Sequence, residues 1–221
     1  MGREGKQHIR RSGFRDSKAF IIATEGIKTE IKYFNDLKSS EYFNNTKVHL
    51  HVIKRENTNS SPEYILKILE NFQKKYRFDS EDEMWIIIDR DKQSWTPKTI
   101  KNIAQKCKQK NIRIGLSNPC FELWLLLHLK DIDDYSQEKK KQIFENKKIS
   151  SNKNARTQLN YELFSILNSY NSANIDTAKF LSNVELAIER AKKIDKYPTH
   201  RWPNYLATRV YRLVEQLIKP L

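Results

Sequence analysis

Residues 18–129 alternate between short apolar runs and longer segments with helical spacing, and this alternation constrains the fold more than any other feature. Apolar runs rich in β-branched and aromatic residues predict strands near 18–24, 47–53, 84–89 and 112–116. Segments with apolar residues three and four positions apart predict helices near 28–38, 62–77, 97–110 and 119–129. Because such alternation is typical of strands joined through helices, we predict an α/β fold with a mostly parallel sheet flanked by helices.

Acidic residues directly follow two of the predicted strands. Residues 19–24 lead into Glu25, and residues 84–88 lead into Asp89 and Asp91. In open α/β sheets ligands bind beyond the carboxyl ends of the strands, so both acidic groups lie where a site is expected. Three carboxylates at one sheet edge would repel each other without a cation between them, and Mg²⁺ prefers oxygen ligands. The sequence therefore predicts a divalent-metal site, for Mg²⁺ or Mn²⁺.

Other interpretations of these acidic residues stay open. Glu25 and Gly26 also fit an ordinary strand-to-helix turn with a capping glutamate. Paired aspartates after a strand also serve as nucleophile and acid in an α/β phosphatase family. That family accounts for the sequence less well, because the aspartate pair lies in mid-chain and Glu25 would have no role.

A third group of polar residues lies before and within an apolar helix. Ser117 and Asn118 follow a predicted strand, while Glu122 and His128 interrupt a helix with little other polar surface. Glu122, like Glu30 in the first predicted helix, is a candidate ligand of a second metal or an orienting group. Capping by the residues at 117 and 118 and an ion pair at Glu122 are the structural alternative, and a core role is favoured for His128.

The chain is strongly basic, which favours a polyanionic partner. It contains 41 Lys plus Arg against 27 Asp plus Glu, a formal net charge of +14. A lysine-rich composition that only keeps the protein in solution is the alternative. We expect DNA or RNA as the partner and no membrane association. The residues expected to contact nucleic acid are Lys28, Arg90, Lys92, Ser117, Asn118, Lys139, Lys140, Lys141 and Arg201.

Composition divides the chain into three parts. Residues 1–17 are polar and basic and predict a flexible arm, and residues 18–130 carry the strand and helix alternation. Residues 131–221 begin with a lysine-rich insertion and end in amphipathic helices that we expect to pack on the core. The chain has two cysteines and no stretch resembling a signal peptide, so we expect a cytoplasmic protein.

The chain resembles the RloB-like proteins over most of residues 18–129. The resemblance lies at residues 25–34, 85–91 and 117–128, with a weaker similarity at 203–217. Its most specific element is the Asn-Pro-Cys-Phe-Glu sequence that begins at Asn118. The resemblance implies a Toprim-type fold, the metal-binding α/β module also found in primases, type IA and II topoisomerases and OLD-family nucleases.

The resemblance also implies an activity. It implies Mg²⁺-dependent phosphodiester chemistry in which Glu25 transfers a proton and Asp89 with Asp91 holds the metal. It further implies a role in bacterial defence and abortive infection, often beside an ATPase. We therefore expect a metal-dependent nuclease, an endonuclease rather than an exonuclease, with an ATPase partner or a homodimer as associations. The alternative is a nucleic-acid-binding or adaptor subunit of an ATPase-containing defence complex.

Overall fold

A mostly parallel five-stranded sheet forms the centre of the computed structural model, which describes residues 7–8, 17–43, 48–54, 61–90, 96–152 and 154–218. The strands are β1 (Lys18–Thr24), β2 (Val48–Val52), β3 (Glu83–Asp89), β4 (Ile112–Asn118) and β5 (Ala207–Thr208). They lie in the order β2-β1-β3-β4-β5, with β5 antiparallel to β4. A separate parallel pair joins Gln7–His8 to Tyr76–Arg77. The predicted fold class is confirmed.

Helices cover both faces of the sheet. They are α1 (Thr29–Ser39), α2 (Pro62–Lys75), α3 (Pro97–Gln109), α4 (Glu122–Leu129), α5 (Gln137–Glu145), α6 (Gln158–Leu167), α7 (Ala178–Leu181), α8 (Val184–Ile194) and α9 (Tyr211–Ile218). A 3-10 turn spans Ile132–Asp134. Helices α2 and α3 pack on one face, and α1, α4 and the helices from α5 onward form the layer on the other. Within the described ranges no helix is long and apolar enough to cross a membrane.

Strand β1 carries a continuous apolar run from Ala19 to Ala23 because both faces of the sheet are covered there. In β1, Phe20 and Ile22 point into the layer with α1 and α4, while Ile21 and Ala23 point toward α2 and α3. All four side chains are fully buried. This is the pattern expected of a parallel sheet between two helical layers, where strands carry continuous rather than alternating apolar residues.

The lysine-rich stretch after residue 130 folds onto the core. Its apolar residues Ile132, Ile143 and Leu159 are buried in the same cluster as α1 and α4. Helix α5 begins at Ser136, whose hydroxyl accepts a hydrogen bond from the Lys139 N–H at 3.2 Å. The lysine-rich residues that follow the predicted α/β part at 18–130 thus contribute buried side chains to the helical layer that contains α1 and α4.

His128, on α4, is buried in the core, as its apolar surroundings in the sequence suggest. Its Nδ1 lies 2.8 Å from the Trp124 carbonyl oxygen, and its Nε2 lies 3.1 Å from the Tyr33 hydroxyl. Because a carbonyl oxygen can only accept, Nδ1 carries the proton and Nε2 accepts from Tyr33. Burial lowers the pKa of His128 to about 4, so the ring is neutral in the folded protein.

We expect the substitution His128→Gln to weaken the acid sensitivity of the fold. An unfolded histidine titrates near 6.5 and the folded one near 4, so the unfolded state binds more protons between these values. The contribution of neutral His128 to the free energy of unfolding is complete above the unfolded pKa. It falls by about 2 kcal/mol between about pH 7.5 and about pH 5. Urea unfolding of both proteins at the two pH values measures this difference, and equal losses in both would contradict it.

Candidate functional site

Three strands bring predicted site residues to the carboxyl edge of the sheet. Strand β1 ends just before Glu25, β3 ends at Asp89, and β4 ends at Asn118. Asp89 lies opposite Ser117 in the register of β3 and β4. The Glu25 N–H donates to the Ile87 carbonyl oxygen at 2.8 Å, which continues the pairing of β1 with β3 beyond Thr24. Glu25 and Asp89 therefore lie on adjacent strands at one edge.

Hydrogen bonds from the backbone hold two glutamates at this edge. The Asp89 N–H donates to Glu25 Oε2 at 2.9 Å, and the Gly26 N–H donates to Glu30 Oε1 at 2.9 Å. Glu30 is 5% exposed although it carries a carboxylate. A Cβ atom on Gly26 would overlap the Glu30 carboxylate, so this close approach requires glycine. The turn after β1 thus fixes Glu25 and Glu30 beside the end of β3.

Asp89 lies in an unfavourable electrostatic environment. Burial raises its pKa well above the usual range, and the charges of Glu30, Glu25 and Glu122 raise it further. The Phe121 N–H at the start of α4 lowers the pKa and only partly offsets this. Asp89 Oδ1 is buried and has no hydrogen-bond partner among the described residues. Such a carboxylate requires either a proton or a nearby cation. We name the four carboxylates Glu25, Glu30, Asp89 and Glu122 the acidic centre.

The acidic centre fits a divalent cation in its chemistry but not yet in its arrangement. Carboxylate oxygens are the ligands that Mg²⁺ and Mn²⁺ prefer, and the unpartnered Asp89 oxygen is a suitable donor. In the part of the chain that the structure describes, no group of three or more His, Cys, Asp or Glu side chains is arranged to hold a metal ion. The predicted ligand Asp91 and the predicted contact Lys92 lie outside the described residues. The carboxylates of the centre would have to move to coordinate a metal together.

Polar residues at the ends of β3 and β4 are bound to the loop at 195–206. The Asn118 side chain donates to the Pro203 carbonyl oxygen at 3.2 Å, and Arg90 Nη1 donates to the same oxygen at 2.8 Å. Arg90 also donates to the side chain of Asn204. The buried hydroxyl of Ser117 pairs with that of Thr208 on β5 at 2.8 Å. The side chains at 117 and 118 are thus turned into the protein, where they hold the edge together.

A buried ion pair closes the loop at 195–206. Asp195, at the end of α8, accepts hydrogen bonds from Arg209 Nε at 3.0 Å and from Arg212 Nη2 at 3.2 Å. The Tyr205 and Tyr211 hydroxyls donate to the same carboxylate at 2.8 and 3.1 Å. Although burial raises the pKa of Asp195, these hydrogen bonds hold it below its usual value. We name this group the Asp195 clasp. Sequence reasoning missed it because its members are ordinary polar residues spread over 18 positions.

The predicted basic contacts differ in their availability. Lys28 and Lys141 are exposed, and exposed Arg201 lies over the Trp202 ring at 5.5 Å. By contrast, Lys139 pairs with Glu162 at 2.5 Å and Lys140 pairs with Asp133 at 2.9 Å. These two half-buried lysines connect α5 to α6 and to the 3-10 turn. The exposed residues Lys28, Lys141 and Arg201 are therefore better placed to contact a polyanion than the two paired lysines.

Together, fold and site define an α/β protein with an acidic centre at the carboxyl edge of a mostly parallel sheet. The chain belongs to the RloB-like protein family, whose model matches residues 20–217. This match includes the acidic centre and the Asp195 clasp. No curated protein and no solved structure matched the chain.

We expect Asp89→Asn to stabilise the metal-free protein. The variant removes a half-buried negative charge that three glutamates oppose, so in EDTA its free energy of unfolding should rise by about 1 kcal/mol. Because the folded pKa of Asp89 is raised, the gain should grow as the pH rises above the unfolded pKa of 3.8. Urea unfolding measures it, with exposed Asp134→Asn as the control. A loss of stability at every pH would contradict this account of the centre.

The Asp195 clasp predicts a large stability effect. Asp195→Asn leaves Arg209 buried without its charged partner, a change that typically costs about 3–5 kcal/mol. Asp133→Asn removes an exposed carboxylate that also forms ion pairs, and it should cost much less because water screens exposed charges. Chemical denaturation of both variants tests the contrast. Similar small losses would show that the clasp contributes little.

Proposed function

We propose that this RloB-like protein is a Toprim-type nuclease that uses Mg²⁺ or Mn²⁺ to hydrolyse phosphodiester bonds of DNA or RNA in bacterial defence against phage. The observation that carries the proposal is the half-buried Asp89 side chain, whose buried Oδ1 has no partner within the described ranges and which lies in the field of three glutamates. An uncompensated negative charge of this kind favours cation binding. Its position at the carboxyl edge of a parallel sheet is where α/β proteins bind ligands.

Each carboxylate would have its own task in the reaction. Asp89 and Asp91 would hold the metal, which when bound would neutralise the negative charge of the phosphate. Glu30 and Glu122 would be further ligands or would orient the others. Glu25, which accepts a hydrogen bond from the Asp89 N–H, would transfer a proton.

The proposed hydrolysis forms one P–O bond and breaks another. A water oxygen attacks the phosphorus atom, and Glu25 accepts the proton that this water loses. The bond from phosphorus to the leaving sugar oxygen breaks, and the leaving oxygen takes up a proton from a solvent water molecule. Exposed Lys28, Lys141 and Arg201 would contact the backbone of the nucleic acid.

An adaptor function is the second candidate. It is favoured by one observation: no group of three or more His, Cys, Asp or Glu side chains in the described part of the chain is arranged to hold a metal ion. In that case the protein would bind nucleic acid through its positive charge. An ATPase partner or a second copy of the chain would supply the residues needed for catalysis. Both functions predict binding that weakens with salt, so only product formation separates them.

Cleavage of a substrate panel tests the proposal. Plasmid DNA, single-stranded DNA and total tRNA are incubated with wild type, Asp89→Asn or Asp134→Asn in Mg²⁺, Mn²⁺ or EDTA. We expect cleavage by wild type and by Asp134→Asn only with metal, and a rate at least roughly 100-fold lower for Asp89→Asn, because the variant loses a metal ligand.

Two outcomes would contradict the nuclease proposal. Cleavage by Asp89→Asn at the wild-type rate would place the chemistry elsewhere. Binding without cleavage of any substrate, in either metal, would favour the adaptor function.

A further inference from the structure

The segment between α6 and α7 packs directly on the helix that carries Glu30. The Thr29 hydroxyl at the start of α1 donates to the Ser172 carbonyl oxygen at 2.5 Å. Five residues further along the segment, the Thr177 hydroxyl donates to Asp36 Oδ2 at 2.6 Å. These two bonds fasten residues 172–177 along α1. Tyr170 precedes Ser172 by two residues, and Ser172 contacts Thr29, the neighbour of Glu30 in the acidic centre.

The hydroxyl of Tyr170 is buried without a partner. Tyr170 is 9% exposed, and its Oη has no hydrogen-bond partner among the residues that the structure describes. Buried tyrosine hydroxyls usually have a hydrogen-bond partner, because an unpaired polar group in the interior costs free energy. The unpaired hydroxyl of Tyr170 therefore requires an explanation.

The surroundings of Tyr170 are acidic. Burial raises the pKa of its hydroxyl, and the charges of Glu122 and Glu30 raise it further, with a contribution from Cys120. The phenol therefore stays protonated and can donate a hydrogen bond. The opposite side of the segment faces solvent, because Tyr170 also lines an open cleft of about 370 Å³ with Phe164, Asn174 and Lys179.

We propose that the Tyr170 hydroxyl donates a hydrogen bond to a non-bridging phosphate oxygen of nucleic acid bound at the acidic centre. The inference rests on the proposed function and adds a phosphate-contacting residue to it. Every other side chain of the centre is a carboxylate, which repels a phosphate. A neutral donor does not repel a phosphate, and a phosphate that reaches the Tyr170 hydroxyl would supply the hydrogen-bond acceptor that the folded chain does not provide.

The competing explanation is structural. With a small rotation the hydroxyl could donate to Glu122 or Glu30 and position that carboxylate. The two explanations differ in stability: a hydrogen bond to a carboxylate stabilises the fold, whereas an unpaired buried hydroxyl does not.

Tyr170→Phe separates them, with Tyr161→Phe on α6 as the control because Tyr161 is 41% exposed. The three readouts are the urea midpoint, the affinity for Mn²⁺ by calorimetry, and the single-turnover cleavage rate on the substrate that wild type cuts. For Tyr170→Phe we expect an unchanged or higher urea midpoint and an Mn²⁺ affinity within about twofold of wild type. We expect the cleavage rate to fall roughly 10- to 100-fold, as for loss of one donor to a charged group.

Two results would overturn the inference while leaving the nuclease proposal intact. One is cleavage by Tyr170→Phe at the wild-type rate. The other is a lower urea midpoint together with weaker Mn²⁺ binding, which would show that Tyr170 positions a carboxylate. If wild type and Tyr161→Phe cut nothing, the proposed function itself fails and this inference fails with it.

Discussion

The repulsion among the carboxylates of the acidic centre is the constraint on which the rest of the structure depends. Asp89 and its three glutamate neighbours would separate if the chain allowed it. They are held because β1 and β3 are buried on both faces and cannot shift without exposing their apolar side chains. Gly26 adds the room that Glu30 needs to bend back onto the turn. The hydrophobic layers thus supply the free energy that keeps an unfavourable site assembled.

The C-terminal part of the chain belongs to this same arrangement. Strand β5 completes the sheet beside β4, and the loop before it binds Arg90 and Asn118. The Asp195 clasp holds that loop between α8 and α9. Helices after residue 130 share one hydrophobic cluster with α1 and α4. A boundary near residue 130, which the change in composition suggests, therefore passes through a continuous core. The family match over residues 20–217 likewise extends across it.

The strands and helices that the sequence predicts well are those with a clear local pattern of apolar residues. The buried strands and the helices α1 to α3 are predicted within about two residues, because each has its own apolar periodicity. The helix predicted from residue 119 begins at Glu122 instead, since β4 runs on to Asn118 and a turn follows. The acidic residues at 25 and 89 are found because position after a buried strand is itself a signal.

What the sequence misses depends on contacts between distant residues. Strand β5 has two residues and no periodicity, and it exists only because β4 offers an edge for pairing. Tyr170 gives no signal either, since nothing around it in the sequence indicates that its hydroxyl will be buried near Glu30 and Glu122. The net charge of +14 favours a polyanionic partner, yet the local charge at the acidic centre has the opposite sign. In the proposed nuclease, a phosphate attracted by surface lysines would meet carboxylates at the acidic centre. In the proposed nuclease, cation binding must therefore come first, because only then does the centre attract the phosphate rather than repel it.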